Sequence, residues 1–228
     1  MNKLFNTLSI DRDNSNASLD HSLLLKVIGK QKNKCFCCSI NLDIDPKLHK
    51  IASKNKKTIV DDLIALCPLC YYPQNLSDVD DRVNLIILLP EISQIELNAL
   101  QRALAVVDYQ IGRMIKSSDD GKTISKTYEI SELRDTIDIL NIILKERADF
   151  ADTYFSKGSS NVDIVSNGLR SLSDEDYEMR AKGIYGLRLY HDMSRYSEHL
   201  ESWSVAFNNY KIENWKKLIV NTAKKINK

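Results

Sequence analysis

Five cysteines carry the chemistry that this sequence offers, and four of them are spaced as two C-x-x-C pairs. Cys35 and Cys38 lie in "KCFCCS", and Cys67 and Cys70 lie in "LCPLCYY", with 28 residues between the two pairs. A C-x-x-C turn brings two sulfurs to one side with backbone N–H groups facing them. Two such turns supply the four thiolates in a tetrahedron that Zn²⁺ prefers. One structural Zn²⁺ held by Cys35, Cys38, Cys67 and Cys70 is therefore the expected cofactor. A four-cysteine site has no open position for water, so it contributes to folding and does not catalyse. Cys37 falls inside the first turn and reads as a spectator thiol, a Cys35-x-Cys37 pair being the less natural ligand choice. Unconnected buried cysteines are the bland alternative, and iron–sulfur ligation fits the 28-residue gap less well. Four thiolates and one Zn²⁺ sum to −2, and Lys32 and Lys34, beside the first pair, are expected to balance that charge.

Other catalytic signatures are missing. The chain has no glycine-rich phosphate loop, no G-x-S-x-G and no H-E-x-x-H. Asp174, Glu175 and Asp176 resemble paired carboxylates but sit where a helix N-terminus favours negative charge. Trp203, Trp215 and Tyr185 are candidate interface anchors, with core packing the simpler reading of each. Nine lysines against two acids give residues 26–58 a local net charge of +7, which leaves −6 for the rest. That block overlaps the cysteine region. Its lysines either solvate a loop-rich metal module or contact phosphates.

Ordinary globular material has to position these groups. The chain has 228 residues, 28% charged and 43% hydrophobic, with only seven glycines and four prolines, which favours helices. "MNKLFNTLSIDRD" has no sustained apolar region and does not read as a secretory signal. The longest apolar run, "LIILLP", is too short to span a bilayer. A short amphipathic helix over 18–32, capped by Ser18 or Asp20, leads into the first cysteines. "HKIAS" and "KTIVDDLIALC" are short apolar segments on either side of a lysine-rich turn. Residues 83–89 read as a strand stopped by Pro90. Ser93 and Glu96 form a capping box that opens a helix over 93–116, with Leu97, Leu100, Leu104, Val107, Ile111 and Met114 as its stripe. A second long helix covers 129–155 through Ile130, Leu133, Ile137, Leu140 and Leu144 and should pack antiparallel to the first. Residues 156–163 read as a loop, 173–182 as a capped helix, and 183–191 leans to a strand. Tyr196, Leu200, Trp203 and Phe207 make a further helical stripe, and a basic helix is expected from Trp215 to Ile226.

The order helix, C-x-x-C, strand-like segment, "DDLIALC", C-x-x-C resembles the zinc-containing HNH nucleases. The resemblance lapses where chemistry is needed. His49 is flanked by Leu48 and Lys50 instead of an acid or second histidine, Asp62 stands at the family's Asn position, and Tyr71 follows Cys70. A lone histidine cannot both hold a metal and activate water. A longer stretch is similar to the IcmJ/DotN family of type IVB secretion and conjugation systems. "ALCPLC" is followed by "LIILLPEISQIELNALQRAL", in which Leu89 to Asn98 match the family phrase LPE(L/I)(S/T)QxELN. The similarity is clear over 35–110 and faint in "LRLY…SRYSEHLESW". It implies a zinc-binding, HNH-like, non-catalytic adaptor of the coupling complex. It further implies binding to the C-terminal tail of the coupling ATPase and to other complex subunits, and a cytoplasmic place, peripheral at the inner membrane. Nucleic acid is the alternative partner. The chain departs from the family at Cys37 and in the lysine-rich insert 50–57. The expected fold class is α+β: a degenerate HNH-like module of treble-clef type over 1–117 and a mainly α-helical region over 118–228.

Overall fold

The architecture is α+β in a computed structural model that describes residues 7–12, 21–51, 59–117 and 124–207. The cysteine-bearing part opens with α1 (His21–Lys30), whose Val27 is buried while Leu23, Leu24 and Ile28 pack beside it. The caps expected at Ser18 or Asp20 lie outside the described residues. β1 (Lys47–Lys50) and β2 (Leu63–Leu66) pair antiparallel, with His49 opposite Ile64. The lysine-rich turn between them also lies outside the described residues. A single helical turn, α2 (Pro68–Tyr71), follows β2.

The second sheet joins residues a hundred positions apart. β3 (Leu85–Leu88) pairs antiparallel with β4 (Leu187–Tyr190), Leu85 opposite Tyr190 and Leu88 opposite Leu187. β3 is shorter than the expected 83–89. Asn84 is taken by the turn before it, donating to the Asp80 carbonyl at 2.8 Å and accepting from the Asp192 N–H at 3.1 Å. The expected capping box is present. Glu96 accepts from the Ser93 N–H at 2.7 Å, and its own N–H donates to Ser93 Oγ at 3.3 Å. It opens α3 (Gln94–Ser117).

The second long helix, α4 (Ile124–Tyr154), starts five residues before the expected position. Glu91 pairs with Arg147 and Asp108 with Arg134, so α4 runs antiparallel to α3. The loop over 156–163 ends in α5 (Val162–Ser171), a helix with its own signals: Asn161 Oδ1 accepts from the Ile164 N–H at 2.9 Å, and Val162, Val165 and Leu169 are buried. Ser173 caps α6 (Asp174–Gly183), so the three acids there serve the first turn of a helix. α7 (Ser197–Phe207) closes the described chain, and the helix expected from Trp215 lies outside the described residues.

The β3–β4 sheet is apolar on both faces. Ile87, Leu89 and Tyr190 join the stripes of α3 and α4 in one core, while Ile86, Leu187 and Leu189 join Leu8, Ile10, Val162 and Leu169 in another. A third core holds the metal module together with Val106 of α3 and Tyr196 and Trp203 from the C-terminal part. Each core thus draws on residues from both sides of position 117.

Three glutamines satisfy strand edges that lack a neighbouring strand. Gln94 accepts from the Leu189 N–H at 2.8 Å and donates to the Leu189 carbonyl at 2.9 Å. Gln101, two turns on, does the same to His191, at 3.3 and 2.8 Å. Gln31 of the turn after α1 grips Ala65 of β2, at 2.8 and 3.0 Å. On the far edge, the Ile86 N–H donates to the Ser160 carbonyl at 2.8 Å. Each side-chain amide stands in for a strand residue, so no buried ladder group is left orphaned at these points.

Candidate metal centre

The first cysteine turn is a tight knuckle closed by a bridge between Lys34 and Asn41. Lys32, Asn33 and Ser39 adopt left-handed backbone with φ of 55°, 57° and 59°, which lets the chain reverse twice within ten residues. The Cys35 N–H donates to the Ile40 carbonyl at 2.8 Å, and the Ser39 N–H donates to the Cys35 carbonyl at 2.9 Å. In the second turn Cys67 precedes α2, with Pro68 at its first position, where a missing N–H costs nothing. Cys70 follows three residues later on the same turn.

The fold brings Cys35, Cys38, Cys67 and Cys70 together, their four Sγ atoms within 4.8 Å of one another. Metal–sulfur bonds of about 2.3 Å in a tetrahedron imply sulfur–sulfur edges of about 3.8 Å, and Cys38 Sγ lies 3.7 Å from Cys67 Sγ. The Cys67 N–H donates to Cys35 Sγ at 3.3 Å, the backbone-to-sulfur contact expected of such a turn. Four converging sulfurs of this size and burial could hold one metal ion, and a soft divalent cation suits the donor set. The thiols shape one another's acidity. Hydrogen bonding, first with Cys35, draws Cys38 far down, while Cys67 and Cys70 are pushed up, again first by Cys35. A bound cation would resolve this spread by taking all four as thiolates. Cys37 is half-buried and stands outside the four.

The charge expected to offset the thiolates comes from elsewhere. Lys32 and Lys34 point outward, and Lys34 Nζ donates to Asn41 Oδ1 at 2.5 Å. The partner is Arg102 of α3, nearly fully buried, whose Nη1 donates to Cys38 Sγ at 3.5 Å. Burial opposes its charge, but Cys38 and Cys67 outweigh that and hold the guanidinium protonated. One turn earlier on the same face, Asn98 donates to the Leu69 carbonyl at 2.6 Å, with Cys70 Sγ 3.9 Å away. α3 therefore lays a polar lid over the cysteine cluster, Asn98 on the second turn and Arg102 on Cys38 of the first. The spacing of four between them was a visible helical signal, but nothing local points that face at cysteines 28 and 64 residues earlier.

His49 sits on β1, half-buried. Its Nδ1 lies 3.2 Å from Asn75 Nδ2, and its ring meets Tyr71 edge-on at 6.5 Å. Burial lowers its pKa. Among the described residues no hydrogen bond or ion pair joins His49 to a carboxylate or a second histidine. Asp62, also buried, leaves Oδ1 without a partner among the described residues. Of the lysine block, Lys30 pairs with Asp61 at 2.6 Å and Lys47 with Asp45 at 2.8 Å. Tyr196 and Trp203 are core aromatics, Tyr185 is exposed, and Trp215 lies outside the described residues. Among the described residues no helix is long and apolar enough to cross a membrane. No protein-family model and no curated protein matches the chain.

Proposed function

We propose that the chain is a non-catalytic assembly subunit of a type IVB secretion or conjugation coupling complex, of the IcmJ/DotN kind, built on one structural Zn²⁺. One observation carries the reading: the cysteine pairs and the phrase from Leu89 to Asn98 form a single structural unit. Ser93 and Glu96 cap α3, Gln94 grips β4, Leu97 is core, and Asn98 reaches the second cysteine turn. Two halves of a sequence resemblance that meet around one metal centre support a shared architecture more than either half alone.

The finer fold follows on the same reading. The knuckle at 34–41, the β1–β2 hairpin and α2 make a degenerate HNH-like module of treble-clef type, held by zinc. Zinc fits because the four-sulfur set is closed and its Cys38–Cys67 edge of 3.7 Å matches that of a zinc tetrahedron. His49 is hydrogen-bonded to Asn75, and among the described residues no carboxylate is hydrogen-bonded to it, which supports a module that does not cut. Two lysines of the basic block, Lys30 and Lys47, are engaged by Asp61 and Asp45, which favours a protein partner over nucleic acid. The partner on this reading is the C-terminal tail of the coupling ATPase, with other complex subunits alongside. The place of work is then the cytoplasmic side of the inner membrane.

Mass spectrometry of whatever co-purifies with the tagged native protein at moderate salt tests this. Recovery of a membrane coupling ATPase is the expected result. Recovery of nucleic acid without an ATPase would overturn it and make the lysine block the working surface.

A further inference from the structure

α4 carries two apolar stripes. Leu133, Ile137, Leu140, Leu144 and Ala148 are buried in the core with α3 and β3. The second stripe faces solvent: Ile139 and Ile142 are each 56% exposed, Phe150 47% and Tyr154 72%. At 3.6 residues per turn these four fall within about a third of the helix circumference and run for about 22 Å. Phe150 and Tyr154 stack with centroids 6.5 Å apart, and the Arg147 guanidinium lies 5.5 Å above Phe150, so the aromatic end of the stripe is already ordered. Scattered surface apolar residues need no explanation, but four aligned on one helix do.

The same face is acidic. Residues 131–154 hold six carboxylates and three bases. Of those bases, Arg134 and Arg147 are paired with Asp108 and Glu91 of neighbouring segments. Asp135, Asp138, Glu146 and Asp149 interleave with or flank the apolar side chains. A second copy seated here by two-fold symmetry would set carboxylates against carboxylates. A complementary occupant has an apolar ridge of about four turns with lysine or arginine along the one edge that meets these carboxylates.

We propose that the outward face of α4 docks a basic amphipathic helix of a partner protein. Its apolar ridge lies on Ile139, Ile142, Phe150 and Tyr154, and its cations lie over Asp135, Asp138, Glu146 and Asp149. The inference rests on the scaffold reading above for the statement that a partner exists. The chain's own residues 208–228, with six lysines against Glu213, share this chemistry. They are the rival occupant, which the test below separates from the external segment proposed here.

The test is fluorescence anisotropy with the full-length, metal-loaded chain and a labelled 18-residue amphipathic Leu/Lys peptide. One-to-one saturable binding is expected. It should weaken at least tenfold in an Ile139→Ser, Phe150→Ser double variant whose metal content and melting temperature match the parent. It should also lose most of its salt dependence in Asp138→Asn, Glu146→Gln, and vanish when the peptide lysines are replaced by glutamate. Unchanged binding by the double variant would overturn the proposal. So would a dimer dissolved by Ile139→Ser. Peptide binding that appears only in a full-length Trp215→Ser, Leu218→Ser variant would assign the face to residues 208–228 and overturn it too. An ATPase that co-purifies equally well with the double variant would sink the docking face and leave the scaffold reading standing. Peptide binding at α4 with no ATPase in native material would do the reverse.

Discussion

Arg102 shows how one residue can decide the character of a metal site. Four thiolates holding a divalent cation would leave two negative charges in a buried place, and desolvating such charge is costly without a compensating cation. The guanidinium at 3.5 Å from Cys38 supplies that cation from inside the fold, where exposed Lys32 and Lys34 would be screened by water. Arg102→Met keeps most of the side-chain volume and removes the charge. Groups that support metal ligands are typically worth 10–100-fold in affinity. If the cluster holds zinc as proposed, the variant should lose it to a competing chelator about that much more readily, with Arg102→Lys recovering part of the loss. Equal chelator competition curves for parent and Arg102→Met would remove Arg102 from this role.

At the scale of elements, the two-stranded β3–β4 sheet depends on helix side chains. An isolated pair of short strands is marginal in water. Here the β4 edge is closed by Gln94 and Gln101, which lie seven residues apart and so on one face of α3. Replacing Gln94 with Leu leaves the Leu189 N–H and carbonyl buried without partners. Each orphaned group costs about 1–3 kcal/mol, so Gln94→Leu should destabilise by about 2–6 kcal/mol in urea unfolding. A change under half a kcal/mol would mean water or a rearranged side chain takes over the edge. The phrase Leu89 to Asn98 is thus a series of structural jobs: core, cap, strand clamp, core again, metal lid.

For the whole molecule, the decisive place is where the sheet and the metal module meet, around His191. It is buried, it hydrogen-bonds Tyr196 through Nδ1 at 3.2 Å, and its Nε2 has no partner among the described residues. Burial drives its pKa down to about 3. In the unfolded chain a histidine titrates near about 6.5. Above that pH both states are neutral and nothing is lost. As pH falls below it, the unfolded chain takes up a proton that the folded one refuses, so stability drops until the folded pKa is reached. At pH 5 this amounts to about 2 kcal/mol relative to pH 7. His191→Asn keeps a polar partner for the Tyr196 hydroxyl and removes the titration. Its stability should fall by about 2 kcal/mol less than the parent's between pH 7 and pH 5. Equal losses in both would show that His191 is not the group responsible.

The sequence by itself determined what depends on near neighbours. The two C-x-x-C pairs, the Ser93–Glu96 capping box, the apolar stripes of α3 and α4 and the acidic start of α6 are all set within a few turns of chain. Spacing and local hydrogen bonding suffice to read them. α5 was legible in principle through Asn161 and its stripe, but ten residues beside a glycine-bearing loop give a weak signal. What the tertiary structure decided is which faces meet. Three apolar surfaces on α3 and the β3–β4 sheet are chosen by long-range packing, and with them the partners of polar side chains that must be satisfied once buried. That is why Arg102 and Asn98 reach cysteines 28 to 64 residues away in sequence, and Gln94 reaches a strand 95 residues on. No local rule links those residues. They are joined because burying a charge or a strand edge requires a partner, and the fold brings one there.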